Sequence, residues 1–160
     1  NFMPKTNLYS IPFVGLKNGE HSFAFLIDDT FFVDYGNQDF SEANIKIRIN
    51  FIKNTHLFQL AFLLDGSVKS TCDRCCNDIF IDILNDFKLI IKMVSNPQLL
   101  NEEENDPDIL YIGFNDSHIH LADLFYEYIG LSIPSIKYCT DYENSHCDPK
   151  TLEILKKLSK

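Results

Sequence analysis

Five cysteines are the residues of this chain whose type and spacing point most directly to chemistry. Cys72 and Cys75 form a C-x-x-C pair, Cys76 follows directly, and Cys139 and Cys147 stand near the C-terminus. Two thiolates three positions apart in a tight turn can both face one tetrahedral zinc ion, with Zn–S bonds of about 2.3 Å. An odd number of cysteines in a chain with its own core argues against a scaffold built from disulfides.

The second half of a zinc site would come from the two C-terminal cysteines, which frame a polar, turn-like stretch at 140–146. The predicted site is one structural zinc ion held by Cys72, Cys75, Cys139 and Cys147. Cys76 and His146 are alternative ligands. Two other interpretations stay open. The thiols could form a redox pair, although such a pair prefers a helix N-terminus and the flanks here are typical of antiparallel strands. They could also be unrelated free or buried thiols.

Other groupings of chemically active side chains are weaker. The segment 118–120 would place two histidines on one strand face, but its apolar neighbours explain it as a strand end with the imidazoles outward. No phosphate-binding glycine loop and no serine-hydrolase motif occurs. Lys46, Arg48 and Lys53 form the best basic patch, which is either a candidate RNA contact or the solvated side of a strand. We therefore expect a protein that is not an enzyme and binds no nucleotide cofactor.

The charge of the chain favours a basic partner. Its 160 residues include 14 basic and 23 acidic side chains, for a formal net charge of −9. A protein that simply coats nucleic acid is excluded, because phosphate neutralisation needs clustered Lys and Arg. The acidity is densest at 101–108. This stretch predicts an acidic mobile loop at about 95–108, or else a docking segment for a basic protein or a decoy of a phosphate backbone.

Composition bounds the class of protein. A hydrophobic content of 45% is enough for a core and excludes a disordered chain. No apolar run approaches the roughly 20 residues of a membrane helix, and the N-terminus lacks the pattern of a secretion signal. The length fits a single domain over residues 3–160. We expect a cytoplasmic protein with no membrane partner.

The secondary structure predicted around the cysteines consists mostly of strands. Alternation of apolar and polar residues predicts strands at 44–51 and 79–83. Strands are also predicted at 57–64, 67–72 and 109–114, and at 87–94, which is strongly β-forming. Asp65-Gly66 is the predicted tight turn between the strands at 57–64 and 67–72. Turn chemistry at 17–20 predicts a hairpin between two earlier extended segments, and Asp28-Asp29 predict the cap of a short helical turn.

Helices are fewer and lie toward the end of the chain. Apolar residues fall at helical spacing over 121–129, and Asp148-Pro149 predict the start of a C-terminal helix. The expected fold class is α+β, with a mainly antiparallel twisted sheet or partial β-barrel and a few helices.

Several stretches, taken in this order, resemble the YceD family, whose members are called large ribosomal RNA subunit accumulation proteins. They are IPFVGLK at 11–17, GEH at 19–21, IDD at 27–29, FF at 31–32, glycine at 66, CDRC at 72–75, LFYEYIGLSIP at 124–134 and CDP at 147–149. The likeness extends over most of the chain and has the character of Bacteroidetes-type members.

The resemblance implies a bacterial factor for accumulation or processing of 23S ribosomal RNA and for large-subunit assembly. Its implied partner is a basic ribosomal protein or large-subunit ribosomal RNA. The family pattern also carries the C-x-x-C and a late cysteine. The chain departs from it at Cys76, an extra thiol, and at Cys139, where histidine is expected; a cysteine there preserves zinc ligation. The alternative is a zinc-binding or thiol redox protein of unrelated function.

Overall fold

Strands dominate the chain. The structure is a computed structural model, which describes residues 8–103 and 106–139 together with Ile154 and Leu158. Its strands are β1 (Ser10–Pro12), β2 (Gly19–Ile27), β3 (Ser41–Lys53), β4 (Leu57–Thr71), β5 (Asp78–Val94), β6 (Ile109–Gly113) and β7 (His118–His120). Its helices are a 3-10 helix (Asp29–Tyr35), α1 (Pro97–Glu103) and α2 (Ala122–Leu131). The prediction of an α+β protein rich in strands is confirmed.

Five strands form an open sheet in the order β2-β3-β4-β5-β6, and β1 pairs with β7 separately. The loops 54–56 and 72–77 are too short for crossover connections, so β3, β4 and β5 are antiparallel neighbours. In contrast, β6 pairs with β5 in parallel, with Ile109 opposite Ile90. Within the described residues the sheet ends at β2 and β6, so the predicted, largely antiparallel sheet is present and does not close into a barrel.

The chain divides into two compact units. The first comprises Asn1–Phe25, Ile47–Leu63 and Asn85–Tyr128, and the second comprises Leu26–Lys46, Leu64–Leu84 and Ile129–Lys160. In the first unit the fully buried Phe125 is the centre of an aromatic cluster. The ring centroids of Tyr9, Phe25 and Phe62 lie 6.3, 5.2 and 6.3 Å from that of Phe125. Burying these rings together stabilises this unit, because it removes apolar surface from water and because tilted and edge-to-face ring pairs attract each other.

The predicted hairpin around residues 17–20 is wrong. The strand β1 pairs with β7 and not with β2, with Ile11 directly opposite Ile119. Both isoleucines are buried. Burial of this pair, which is distant in sequence, therefore decides the partner of β1, and the turn residues at 17–20 only end one segment and begin the next.

Tyr128 of the first unit makes stability sensitive to alkaline pH. Burial, together with the negative charges of Glu127 and Asp108, raises its pKa to about 12 from 10.0. Between pH 10 and 12 the unfolded chain loses the phenolic proton while the folded protein retains it. The free energy of unfolding should therefore fall by up to about 1.4 kcal/mol per pH unit across this window.

Denaturant unfolding at pH 9 and pH 11 measures this effect of Tyr128. The variant Tyr128→Phe should lose the part of the pH dependence that the buried phenol contributes. The half-buried neighbour Tyr126 provides the matched control, and Tyr126→Phe should keep the wild-type dependence. Equal pH dependence of Tyr128→Phe and the wild type would contradict the assignment.

In the second unit, Asp65-Gly66 is not the predicted turn. The strand β4 runs through it, because the inward row of Leu64, Val68 and Ser70 continues in register on both sides of the glycine. A Cβ atom built on Gly66 would lie 2.1 Å from the carbonyl oxygen of Asn44 in β3. Glycine is therefore required where the two strand backbones approach closely. Likewise, 79–83 and 87–94 are parts of one strand, β5.

The predicted helical turn after residue 28 is confirmed as the 3-10 helix. The Asp28 side chain caps it by accepting a hydrogen bond from the Thr30 amide at 3.0 Å. Phe31 and Phe32 bury their side chains, with ring centroids 5.0 Å apart. The helix thereby provides an aromatic anchor for the second unit.

The remaining helices agree in part with the sequence predictions. The helix expected over 121–129 is α2, whereas α1 occupies part of the predicted acidic loop. The predicted C-terminal helix lies outside the described residues except for Ile154 and Leu158, which are helical and exposed. None of the described helices has the length and apolar content needed to span a membrane.

Candidate metal centre

The C-x-x-C pair lies in the loop 72–77 that joins β4 to β5. The Cys72 amide donates to the Asn77 carbonyl at 2.8 Å, and the Cys76 amide donates to the Cys72 carbonyl at 2.9 Å. These two bonds fold the loop into a tight reversal, which we call the knuckle. Cys76 occupies the left-handed region with a φ of +64°, a conformation that glycine adopts most easily.

Three of the predicted ligands converge. The sulfur atoms of Cys72, Cys75 and Cys139 all lie within 4.8 Å of one another, and those of Cys75 and Cys139 are 3.9 Å apart. Tetrahedral coordination with 2.3 Å bonds places neighbouring sulfurs about 3.8 Å apart. These three cysteines are therefore close enough to hold a metal ion. Cys147, the fourth predicted ligand, lies outside the described residues.

Backbone amides prepare Cys72 for the thiolate form that a metal needs. The amides of Arg74 and Cys139 each donate to its sulfur at 3.3 Å. Burial of Cys72 by itself would raise the thiol pKa. Hydrogen bonds from Cys75, Arg74 and Cys139 outweigh burial, so the pKa is lowered from 9.0.

Asp73 attaches the segment that carries Cys139 to the knuckle. Its amide donates to the Lys137 carbonyl at 2.7 Å, and its carboxylate accepts from the Lys137 amide at 2.6 Å. Next to it, the Arg74 guanidinium lies 4.4 Å from the centre of the Tyr138 ring. Sequence reasoning missed Asp73, although an acidic residue between two cysteines of a turn is a recognisable acceptor for nearby amides.

The cysteines differ in whether their sulfur atom is a thiol or part of a disulfide. Cys72, Cys75 and Cys76 are reduced thiols, whereas Cys139 is disulfide-bonded. A metal ion held by Cys72, Cys75 and Cys139 together therefore requires the reduced protein. Cys76 is exposed and is absent from the group of converging sulfurs.

The basic residues of β3 are not brought to one face. Lys46 and Arg48 are exposed, but Lys53 falls on the side of the strand that carries the buried residues. Its ammonium group donates to the carbonyls of Phe13 and Leu16, both at 2.7 Å. Lys53 thus secures a neighbouring loop, and the predicted three-residue patch is wrong in this respect.

The histidine pair lies on β7. His118 and His120 are exposed, with nearly parallel rings whose centroids are 6.5 Å apart. Within the described residues, neither histidine belongs to a group of three ligands close enough to hold a metal ion.

The knuckle, its converging thiols and the mainly antiparallel sheet define a small α+β protein with a cysteine cluster suited to a structural metal. Residues 60–157, more than half of the chain, match the model of a family described as large ribosomal RNA subunit accumulation protein YceD. The chain belongs to the YceD family, which confirms the resemblance seen in the sequence. No curated protein and no solved structure matches it.

Proposed function

We propose that this protein is a non-enzymatic, cytoplasmic factor of bacterial ribosome biogenesis that supports accumulation or processing of 23S ribosomal RNA and assembly of the large subunit. The observation that carries the proposal is the YceD family match over residues 60–157, a range that includes all five cysteines. The whole of residues 3–160 acts in it as a single domain.

The partner in this proposal is a basic ribosomal protein, with large-subunit ribosomal RNA as the second candidate. The formal net charge of −9 favours the protein, because an acidic surface attracts basic chains and repels phosphate. The RNA candidate depends on the exposed Lys46 and Arg48 of β3.

Two measurements test the role and separate its two partners. Depleting the protein in its own organism should lower the ratio of large-subunit to small-subunit ribosomal RNA, and an unchanged ratio would contradict the proposal. Capture from lysate at moderate salt should recover ribosomal proteins. The double variant Lys46→Glu with Arg48→Glu should still recover the ribosomal proteins. If this variant instead loses both the ribosomal proteins and the bound RNA, direct RNA contact is favoured.

The metal in this proposal is one structural zinc ion held by Cys72, Cys75 and Cys139, with Cys147 as the fourth ligand. The sulfur separations and the amide donors to Cys72 support it. Four protein ligands leave no open position, so zinc would hold the chain together and catalyse nothing. A thiol redox protein of unrelated function is the second candidate, favoured by the disulfide at Cys139 and the free thiol of Cys75 3.9 Å away.

Removing the carboxylate of Asp73 should weaken zinc binding without removing a ligand. In Asp73→Ala the Lys137 amide loses its acceptor, so the segment with Cys139 is held less firmly. We expect zinc affinity to fall by about tenfold, the lower end of the effect of groups that orient metal ligands. Competition with a chelating dye measures it in reduced protein.

The matched control for Asp73 is Asp78, an exposed residue of the same unit whose carboxylate lies 3.6 Å from Lys69. Asp78→Ala should leave zinc affinity unchanged. Equal affinities for Asp73→Ala and Asp78→Ala would show that the Asp73 contact does not position the site.

A further inference from the structure

A cavity in the second unit contains a buried lysine. Its volume is about 250 Å³, and its walls come from the segment before β3, from β4 and from the turn after α2. The lining residues that matter here are Asp39, Phe40, Ser70, Ile133, Pro134 and Lys137. Lys137 is only 7% exposed. We call this cavity the Lys137 pocket.

The ammonium group of Lys137 has no carboxylate partner in 8–103 or 106–139. The ion pairs described in this unit join Lys69 to Glu42 and Asp78. Asp39 lines the same pocket but does not come within ion-pair distance of Lys137. An ammonium group without an ion pair attracts an anion that enters the pocket it lines. A carboxylate of a ligand would supply that anion.

Hydrogen bonds preform the walls of the pocket. Ser70 is buried, and its hydroxyl donates to the Asp39 carbonyl at 2.8 Å and fixes the segment before β3. The Lys137 backbone is held by Asp73, as described above. The ring of Phe40 packs edge-on against Phe32, with centroids 4.9 Å apart. A ligand that enters the pocket therefore pays little for ordering it.

We propose that the Lys137 pocket binds a peptide segment that carries a carboxylate for Lys137 and a cationic side chain for Asp39. Lys137 and Asp39 are residues of opposite charge that line one cavity without forming an ion pair, so they complement a ligand that carries both charges. Phe40, Ile133 and Pro134 supply apolar contacts for its side chains. This assignment concerns the second unit alone and needs no metal chemistry.

The charge of the second unit argues against a polyanion such as RNA in this pocket. Its described residues carry nine acidic and four basic side chains. A chain of phosphates leading into the pocket would meet that excess of negative charge, whereas a peptide with a lysine or arginine next to its carboxylate would be attracted.

The test uses the purified, reduced full chain and the probe N-acetyl-Lys-Ala-Leu with a free C-terminal carboxylate. Its addition should give saturable shifts of the amide NMR signals of Gly130 and Ser135. The same peptide with a C-terminal amide should bind about tenfold more weakly or worse, as expected for loss of one charge-assisted hydrogen bond. Replacing the lysine of the probe by norleucine should also weaken binding. In the variant Asp39→Asn, the lysine and norleucine probes should bind with equal affinity.

Variants of the protein separate the pocket from general charge. Lys137→Met keeps the volume and the backbone contacts of the residue, and it should remove binding of the acid probe. Lys46→Met changes an exposed lysine of the same unit and should leave binding intact. Unchanged zinc content and thermal unfolding of Lys137→Met would show that its fold is retained.

Three outcomes would overturn the proposal. They are no saturable shift up to about 20 mM probe, equal affinity for acid and amide probes, and retained binding in Lys137→Met. Tighter binding of a uridine decamer at the same signals would assign the pocket to RNA and also overturn it. Because the assay needs only purified protein, its failure leaves the ribosomal role untouched.

Discussion

Replacing Cys75 by serine is expected to remove zinc from the reduced protein, from about one ion per chain to less than about one per ten chains. The reason is that Cys75 supplies a sulfur 3.9 Å from that of Cys139, and a hydroxyl is a poor ligand in a thiolate site. Metal analysis after purification under reducing conditions measures the stoichiometry. A wild-type protein that carries no zinc would rule out the proposed site.

The same substitution should also destabilise the chain. Zinc at a thousand times its dissociation constant contributes about 4 kcal/mol to the free energy of unfolding, provided that it does not bind the unfolded chain. That contribution should be lost in Cys75→Ser and in wild-type protein treated with a chelator. A thiol redox protein without metal would show no loss on chelation.

Cys76 provides a matched control one residue away. Its thiol is exposed and lies outside the group of converging sulfurs, so Cys76→Ser should bind zinc as the wild type does. If Cys76→Ser loses zinc and Cys75→Ser keeps it, the ligand set named here is wrong.

Replacing Gly66 by alanine should destabilise the fold by about 3 kcal/mol or more, one of the largest effects of adding a single methyl group. The added carbon would lie 2.1 Å from the Asn44 oxygen and 2.6 Å from the Ile45 Cα atom, both backbone atoms of β3. Because neither is the end of a flexible side chain, β3 and β4 would have to separate. Denaturant unfolding measures the loss.

Gly130 is the control for Gly66. It lies in α2, in the same unit as Gly66, and a Cβ atom there would meet nothing within 4 Å. Gly130→Ala should therefore stabilise the protein by about 0.5–1 kcal/mol through helix propensity. Equal unfolding free energies for the Gly66 and Gly130 variants would contradict the close approach of the strands.

Local sequence patterns predicted most of the β elements, but they failed at the supposed turn Asp65-Gly66 and at the basic patch of β3. Alternation in β3 and the capping of the 3-10 helix by Asp28 were read correctly, because both depend on neighbours within a few residues. Asp65-Gly66 was misread, since its composition is typical of a turn. The inward-facing positions continue at every second residue from Leu64 to Ser70, and this alternation indicates one continuous strand.

The prediction that three basic residues of β3 share one face was also wrong. Side chains alternate along a strand with a period of two, so Lys53 cannot share a face with Lys46 and Arg48. Lys53 contacts the carbonyls of Phe13 and Leu16, which are separated from it in the sequence by 40 and 37 residues, respectively. No local pattern contains that information.

The class of fold, the family resemblance and the C-x-x-C pair can be inferred from the sequence, because residue type, spacing and periodicity are local properties. The folded chain alone shows that Cys139 meets this pair across more than 60 residues, and that Asp73 holds the segment that carries Cys139. It also shows that Lys137 is buried beside a cavity. Such juxtapositions follow from burial and hydrogen bonding summed over the whole chain, and no single stretch of sequence specifies them.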